Sequence, residues 1–295
     1  MNVLIIKLNA TGDVVRTTPL LRCLEGEITW VTARNNTVLL DRLAENLRCV
    51  PWENRANVKD VDYDLVINLE DDAGVAEFLK EIHYKQLFGA YMNGRSGLEY
   101  TSDSRRWFDL SLISVYGREK ADQLKLQNRH TYQELIFEGL GLRFEGQKYL
   151  LPDPVPTDLS GDIAIASEAG PVWPMKNWAH YDQLKRELEA KGLKVNVLPR
   201  RKSLLEHLGD VQNHRCLVGG DSLPMHMALG AQTPCVSLFN CTSPWEIYEY
   251  GIQTKIVSPF LSEYFYRRDF DSRATTAISF DEVLPAVIKR LNGVA

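Results

Sequence analysis

The feature that most limits what this chain can fold into is a recurring unit: a short apolar run, a polar loop, then a segment with helical spacing. Residues 3–8 (VLIIKL) and 65–69 (LVINL) are nearly unbroken apolar runs, and 235–239 (CVSLF) is a further strand candidate. A strand with one wet face alternates in polarity, so unbroken runs predict strands covered on both faces, as in parallel sheets. Further strand candidates at 28–33 (ITWVTA), 86–91 (QLFGAY), 162–166 (DIAIA), 195–198 (VNVL) and 216–218 are separated by helical patterns. The class is therefore α/β, with parallel sheets and helical crossovers.

Helix signals support that alternation. Thr131 and Glu134 have capping-box spacing, followed by Tyr132, Leu135, Ile136 and Leu140 on one face. A second helix is predicted from Trp178 to Lys191, with Asn177 as N-cap and Gly192 past its end. Ser279 and Glu282 form the predicted box of a last helix with the stripe Leu284, Val287, Ile288 and Leu291.

A length of 295 residues suggests two domains at about 100–200 residues each. The densest turn punctuation is the run 151–161 (LPDPVPTDLSG), which predicts a linker and domains at 1–155 and 156–295. Lys and Arg number 34 against 39 for Asp and Glu, a net charge of -5. No basic field exists to attract phosphate backbones, which argues against a nucleic-acid partner. The five cysteines show no C-x-x-C spacing and fit a reducing cytosol. No stretch approaches the roughly 20 apolar residues that span a bilayer, so the expected location is cytoplasmic, with peripheral contact at most at the inner face of the membrane.

Three loops at predicted strand ends hold polar groups where open α/β sheets bind ligands. The first, residues 7–13 (KLNATGD), joins a glycine to Asp13. Asp13 also reads as a carboxylate complementing a helix dipole. The second, residues 171–178 (PVWPMKNW), places Lys176 just before the predicted cap at Asn177, so that its ammonium and the helix N–H groups would face one anion. A solvated lysine beside two packed tryptophans is the plainer alternative. The third, residues 218–226 (VGGDSLPMH), pairs two glycines with a cap at Asp221 or Ser222 and Pro224 in the first turn. His226 fits either a ligand contact or a core histidine. None of these loops carries G-x-G-x-x-G or a G-K-[ST] ending.

Taken together, these segments resemble glycosyltransferase family 9, the heptosyltransferases of lipopolysaccharide biosynthesis. VLIIKLNATGDVVRTTPLLRCL is similar to the family's opening strand, Gly-Asp loop and Thr-x-Pro-x-Leu helix. PMKNWAHYDQL is similar to its Lys-x-Trp segment, and VGGDSLPMHMALGAQTPCVSLFNCTSPWEIYEYG to its Gly-x-Asp-[Thr/Ser]-Gly-x-x-His region and the strand and loop after it. The motifs run in family order through both halves. Two places depart from the pattern. Leu223 stands where the family has glycine, and Arg200, Arg201 and Lys202 follow VNVLP where the family often offers an acidic residue to the donor ribose. Residues 92–130, where acceptor contacts would be sought, give no close match.

The resemblance implies a glycosyltransferase B fold, with acceptor bound by the first Rossmann-like domain and nucleotide-sugar donor by the second. It implies Asp13 as catalytic base and Lys176 as the cation on the donor diphosphate. Gly12, Ser167, Gly220, Asp221, Ser222, Leu223 and His226 join Lys176 as expected donor-site residues, and Asn9, Thr11 and Arg16 are expected on the acceptor side. The expected reaction is metal-independent and inverting, from an ADP-linked heptose to a saccharide or glycolipid acceptor. Another nucleotide sugar with a capsule or natural-product acceptor, and a nucleotide-sugar-binding protein without turnover, are the alternatives. A dinucleotide oxidoreductase is disfavoured by the missing glycine fingerprint.

Overall fold

In a computed structural model, residues 1–94, 97–111 and 115–293 are described, those at 109–111 by backbone alone. The chain divides into two compact units, Met1–Pro152 and Asp153–Ala295. The division falls at the start of the proline-rich run 151–161.

The first unit is built on β1 (Asn2–Ile6), β2 (Glu27–Thr32), β3 (Leu47–Pro51), β4 (Asp62–Asn68), β5 (His83–Asn93) and β6 (Gly97–Tyr100). Their order across the sheet is β3-β2-β1-β4-β5-β6, parallel except for β6, which runs antiparallel to β5. Val3, Leu4, Ile5 and Ile6 are fully buried because β1 lies centrally with packing on both faces. Each such side chain contributes about 1.5–3 kcal/mol on burial, which is why this strand is written without polar alternation. One face packs Ile5, Trp30, Ile67 and Phe88 against the helix Tyr132–Gly139, and the other packs Leu4, Ile6, Val31 and Val66. The capping box at Thr131 and Glu134 forms as expected.

The second unit holds β7 (Gly161–Ala166), β8 (Val195–Val197), β9 (His214–Gly220), β10 (Cys235–Phe239) and β11 (Gln253–Val257) in the order β11-β10-β9-β7-β8, all parallel. Both orders are doubly wound, reversing direction between β1 and β4 in one sheet and between β7 and β9 in the other. Such reversals open a crevice at the strand ends.

Two expected helix starts are corrected. The helix predicted from Trp178 is Tyr181–Ala190, capped at His180, while residues Pro174–Lys176 form a separate 3-10 turn. Asn177 does not cap it, because its Oδ1 accepts the Ala169 N–H at 2.8 Å. The last helix, Phe280–Leu291, has Ser279 as N-cap, but Ser279 accepts from the Asp281 N–H, so no box with Glu282 forms. Among the described residues no helix is long and apolar enough to cross a membrane.

Candidate active site

In the first unit the loop after β1 leads into the helix Thr11–Thr17 and is clamped from two sides. Glu70, just past β4, accepts with one oxygen from the Lys7 ammonium at 2.8 Å, the Leu8 N–H at 2.7 Å and the Asn9 N–H at 3.2 Å. From the other side buried Asn36 donates to the Leu8 carbonyl at 2.8 Å and accepts from the Thr11 hydroxyl at 2.9 Å. Between the clamps Ala10 adopts φ 56°, a left-handed conformation costly for a residue with a Cβ. The strain is held by the bonds on either side, a pattern that marks functional loops.

That turn sets Asp13 in the first turn of the helix, its N–H on the Ala10 carbonyl at 2.7 Å. Arg16 Nε lies 2.9 Å from Asp13 Oδ1, and its guanidinium stacks 3.8 Å from the Tyr132 ring centre. Tyr132 is fixed in turn by a 2.9 Å bond to Thr17, and burial pushes its hydroxyl pKa up. Asn9, Thr11, Gly12, Asp13 and Arg16 thus share one loop and helix start, with Asn9 exposed. Residues 95, 96 and 112–114 of the segment considered for acceptor contacts lie outside the described residues.

In the second unit Lys176 Nζ donates to the Asp221 carbonyl at 2.7 Å and meets its carboxylate Oδ2 at 3.2 Å. His226, 4% exposed, has Nε2 3.9 Å from Asp221 Oδ1. The predicted residues Lys176, Asp221 and His226 therefore converge, although the helix expected to start after Asn177 begins at Tyr181 and Lys176 sits instead beside the start of the helix Leu223–Ala231. The paired glycines serve the chain's own packing: a Cβ on Gly220 would stand 3.0 Å from the Lys176 carbonyl, and one on Gly219 2.9 Å from the Ala166 Cβ.

Beside this cluster, at the carboxyl ends of β7, β8 and β9, lies a cavity of about 490 Å³. Ser167 and its loop, Leu198 to Arg201, Ser203, Leu204, His207, and Ser222 to Pro224 at the start of the helix Leu223–Ala231 line it. Asp221, which holds Lys176, immediately precedes Ser222 of this lining. Of the basic run, Arg201 makes a bidentate pair with buried Asp210 at 2.7 and 2.8 Å, and Arg200 pairs with Glu168 at 2.6 Å. Glu70, Asn36 and His207 were not singled out by sequence, since no local spacing links them to the loops they serve.

The family 9 glycosyltransferase (heptosyltransferase) model matches residues 164–268, a stretch containing the cavity, Lys176, Asp221 and His226. The matched stretch lies within the second unit. No curated protein sequence matches the chain. Among solved structures, Escherichia coli heptosyltransferase WaaC with ADP superposes with a TM-score of 0.64 at 16% identity, covering 98% of this chain and 100% of that one. E. coli ADP-heptose lipopolysaccharide heptosyltransferase II gives 0.61 at 16% identity, covering 99% of each chain. The iron-containing dodecameric glycosyltransferase TibC from enterotoxigenic E. coli gives 0.60 at 11% identity over 99% of this chain and 76% of its own. These likenesses identify the fold as glycosyltransferase B. Among the described residues no three His, Cys, Asp or Glu side chains gather as metal ligands.

Proposed function

We propose that the protein transfers a heptose from ADP-heptose to a saccharide or glycolipid acceptor of the lipopolysaccharide-core type, in the cytoplasm or at the inner membrane face. The observation that carries this reading is the family 9 match over the segment that holds both the Lys176–Asp221 pair and an apolar cavity. ADP and ADP-2-deoxy-2-fluoro heptose in WaaC structures, and ADP-D-beta-D-heptose in a TibC structure, support an ADP-linked donor here.

In this reading the nucleoside enters the cavity and the diphosphate reaches Lys176, which Asp221 aims. Asp13, oriented by Arg16, removes the proton from the acceptor hydroxyl as that oxygen attacks the anomeric carbon. The bond to the diphosphate breaks, its electron pair leaves on the phosphate oxygen, and Lys176 offsets the growing charge. A preorganised cation contributes most where charge develops in the transition state, and a general base adds about 10²- to 10⁴-fold in rate. One displacement inverts the anomeric centre. The cation at the diphosphate is the lysine, so the proposal includes metal independence.

Calorimetric titration with ADP-heptose, ADP and the other nucleoside diphosphates tests the donor. Saturable binding of ADP and ADP-heptose that is lost in Lys176→Ala is expected. Binding of none of them, or of another nucleotide alone, would overturn the donor assignment.

A further inference from the structure

The cavity in the second unit has more polar chemistry at its wall than the diphosphate reading uses, and most of it is already committed to the protein. Arg201 is spent on Asp210, whose side chain is fully buried, and acts as a strut under the helix Leu204–Gln212. Arg200 and Glu168 pair with each other, both well exposed. Ser203 caps that helix by accepting the Leu205 N–H. In the run Arg200 to Lys202, which departs from the family pattern at the expected ribose position, both arginines are thus paired within the protein.

His207 is different. It stands on the second turn of the same helix and lines the cavity together with Leu198, Pro199, Leu204, Leu223 and Pro224. Its Nδ1 is buried and makes no hydrogen bond. Burial pushes the imidazole pKa down from its ordinary value, so at neutral pH the ring carries one proton. Orphaned buried N–H groups are rarer in folded proteins than under-satisfied buried acceptors. With Nδ1 sealed and unpartnered, that places the proton on Nε2. The cavity then offers apolar walls and the His207 N–H among its few polar groups, the usual make-up of a site for a flat, largely apolar ligand oriented by a few polar groups.

We infer that His207 is the residue that reads the nucleobase of the bound nucleoside diphosphate, donating from Nε2 to a ring-nitrogen acceptor of adenine. This rests on the donor reading above and adds to it the group that selects the base. The apolar side chains cover the faces of the base, and His207 fixes its rotation.

The test uses full-length protein and calorimetry with ADP and inorganic pyrophosphate. His207→Phe keeps the ring and removes the donor, and should weaken ADP about tenfold, or about 1.4 kcal/mol, with pyrophosphate binding unchanged. His207→Gln restores an N–H donor and should bind ADP within about threefold of wild type on the same scale. Wild-type protein titrated with 1-deaza-, 3-deaza- and 7-deaza-ADP, which lack single ring nitrogens, needs no variant and should lose about tenfold for one analogue only. A folded Phe variant matching wild type on ADP, or three deaza analogues binding as ADP does, would overturn the role of His207 alone. Equal loss of ADP and pyrophosphate in the Phe variant would also overturn it, since the effect would not be at the base. Wild-type protein that binds neither ADP nor pyrophosphate would overturn the donor reading and this inference with it.

Discussion

Replacing Lys176 with alanine separates two quantities that the structure ties to one ammonium. Lys176 bonds the Asp221 carbonyl at 2.7 Å and its carboxylate at 3.2 Å, with side chains 14% and 16% exposed. Truncation strips a donor from a carbonyl and a counter-ion from a poorly hydrated carboxylate, at a cost of about 1–3 kcal/mol in stability. For a unit of this size that lowers Tm by roughly 2–4 °C per kcal/mol. If the same ammonium also meets the donor diphosphate, ADP loses a charge-assisted hydrogen bond, about 1.5–3 kcal/mol, or a roughly 10- to 150-fold rise in Kd. Calorimetry well below the variant's melting range measures the second effect free of the first. Asp221→Asn supplies the contrast. It keeps the lysine and its carbonyl contact, so it should lower Tm while raising the ADP Kd less than Lys176→Ala does. If both variants melt earlier and neither changes the ADP Kd, Lys176 serves Asp221 and nothing else, and its place in the donor site is refuted.

Glu70→Ala leaves the Lys7 ammonium, 8% exposed, without its carboxylate and two backbone N–H groups without an acceptor. It should cost about 3–5 kcal/mol, and a denaturant titration showing under about 1 kcal/mol would contradict the clamp. Burial holds His207 and His214 below the ordinary imidazole value of 6.5, so below that pH the unfolded chain binds more protons than the folded one. Stability is then full above the unfolded value and falls as pH drops through it toward the folded values. Urea midpoints at about pH 7.5 and 5.5 should differ in that direction, and the difference should shrink in a His207→Gln, His214→Gln double variant. Transfer should survive excess EDTA; loss of transfer restored by an added divalent ion would assign the diphosphate charge to a metal.

The elements that could be read in the sequence are the central ones. β1, β4 and β10 are covered on both faces, so their apolar runs carry the signal by themselves. β3, β6 and β11, which no run announced, are all sheet edges. An edge strand has one neighbour and a wetter surface, and LRCVP and QTKIV mix polar and apolar positions accordingly. The helix after Lys176 was misplaced by three residues for a tertiary reason: the capping signal at Asn177 was real but is spent on the loop after β7. The site follows the same logic. Asp13, Lys176 and Asp221 sit in motifs at strand ends and are visible by position. Glu70 and Asn36 act on the β1 loop from positions 62 and 28 residues away from Leu8, and only folding brings them there.

The most direct measurement of the central claim follows ADP-heptose and a lipopolysaccharide-core saccharide by NMR, with ADP release quantified, for wild type and Asp13→Asn. Wild type should release one ADP for each new glycosidic bond, with inverted anomeric configuration. Asp13→Asn should bind donor within a few-fold of wild type yet turn over about 10²- to 10⁴-fold more slowly. Retained anomeric configuration, or an Asp13→Asn rate equal to wild type, would contradict the account.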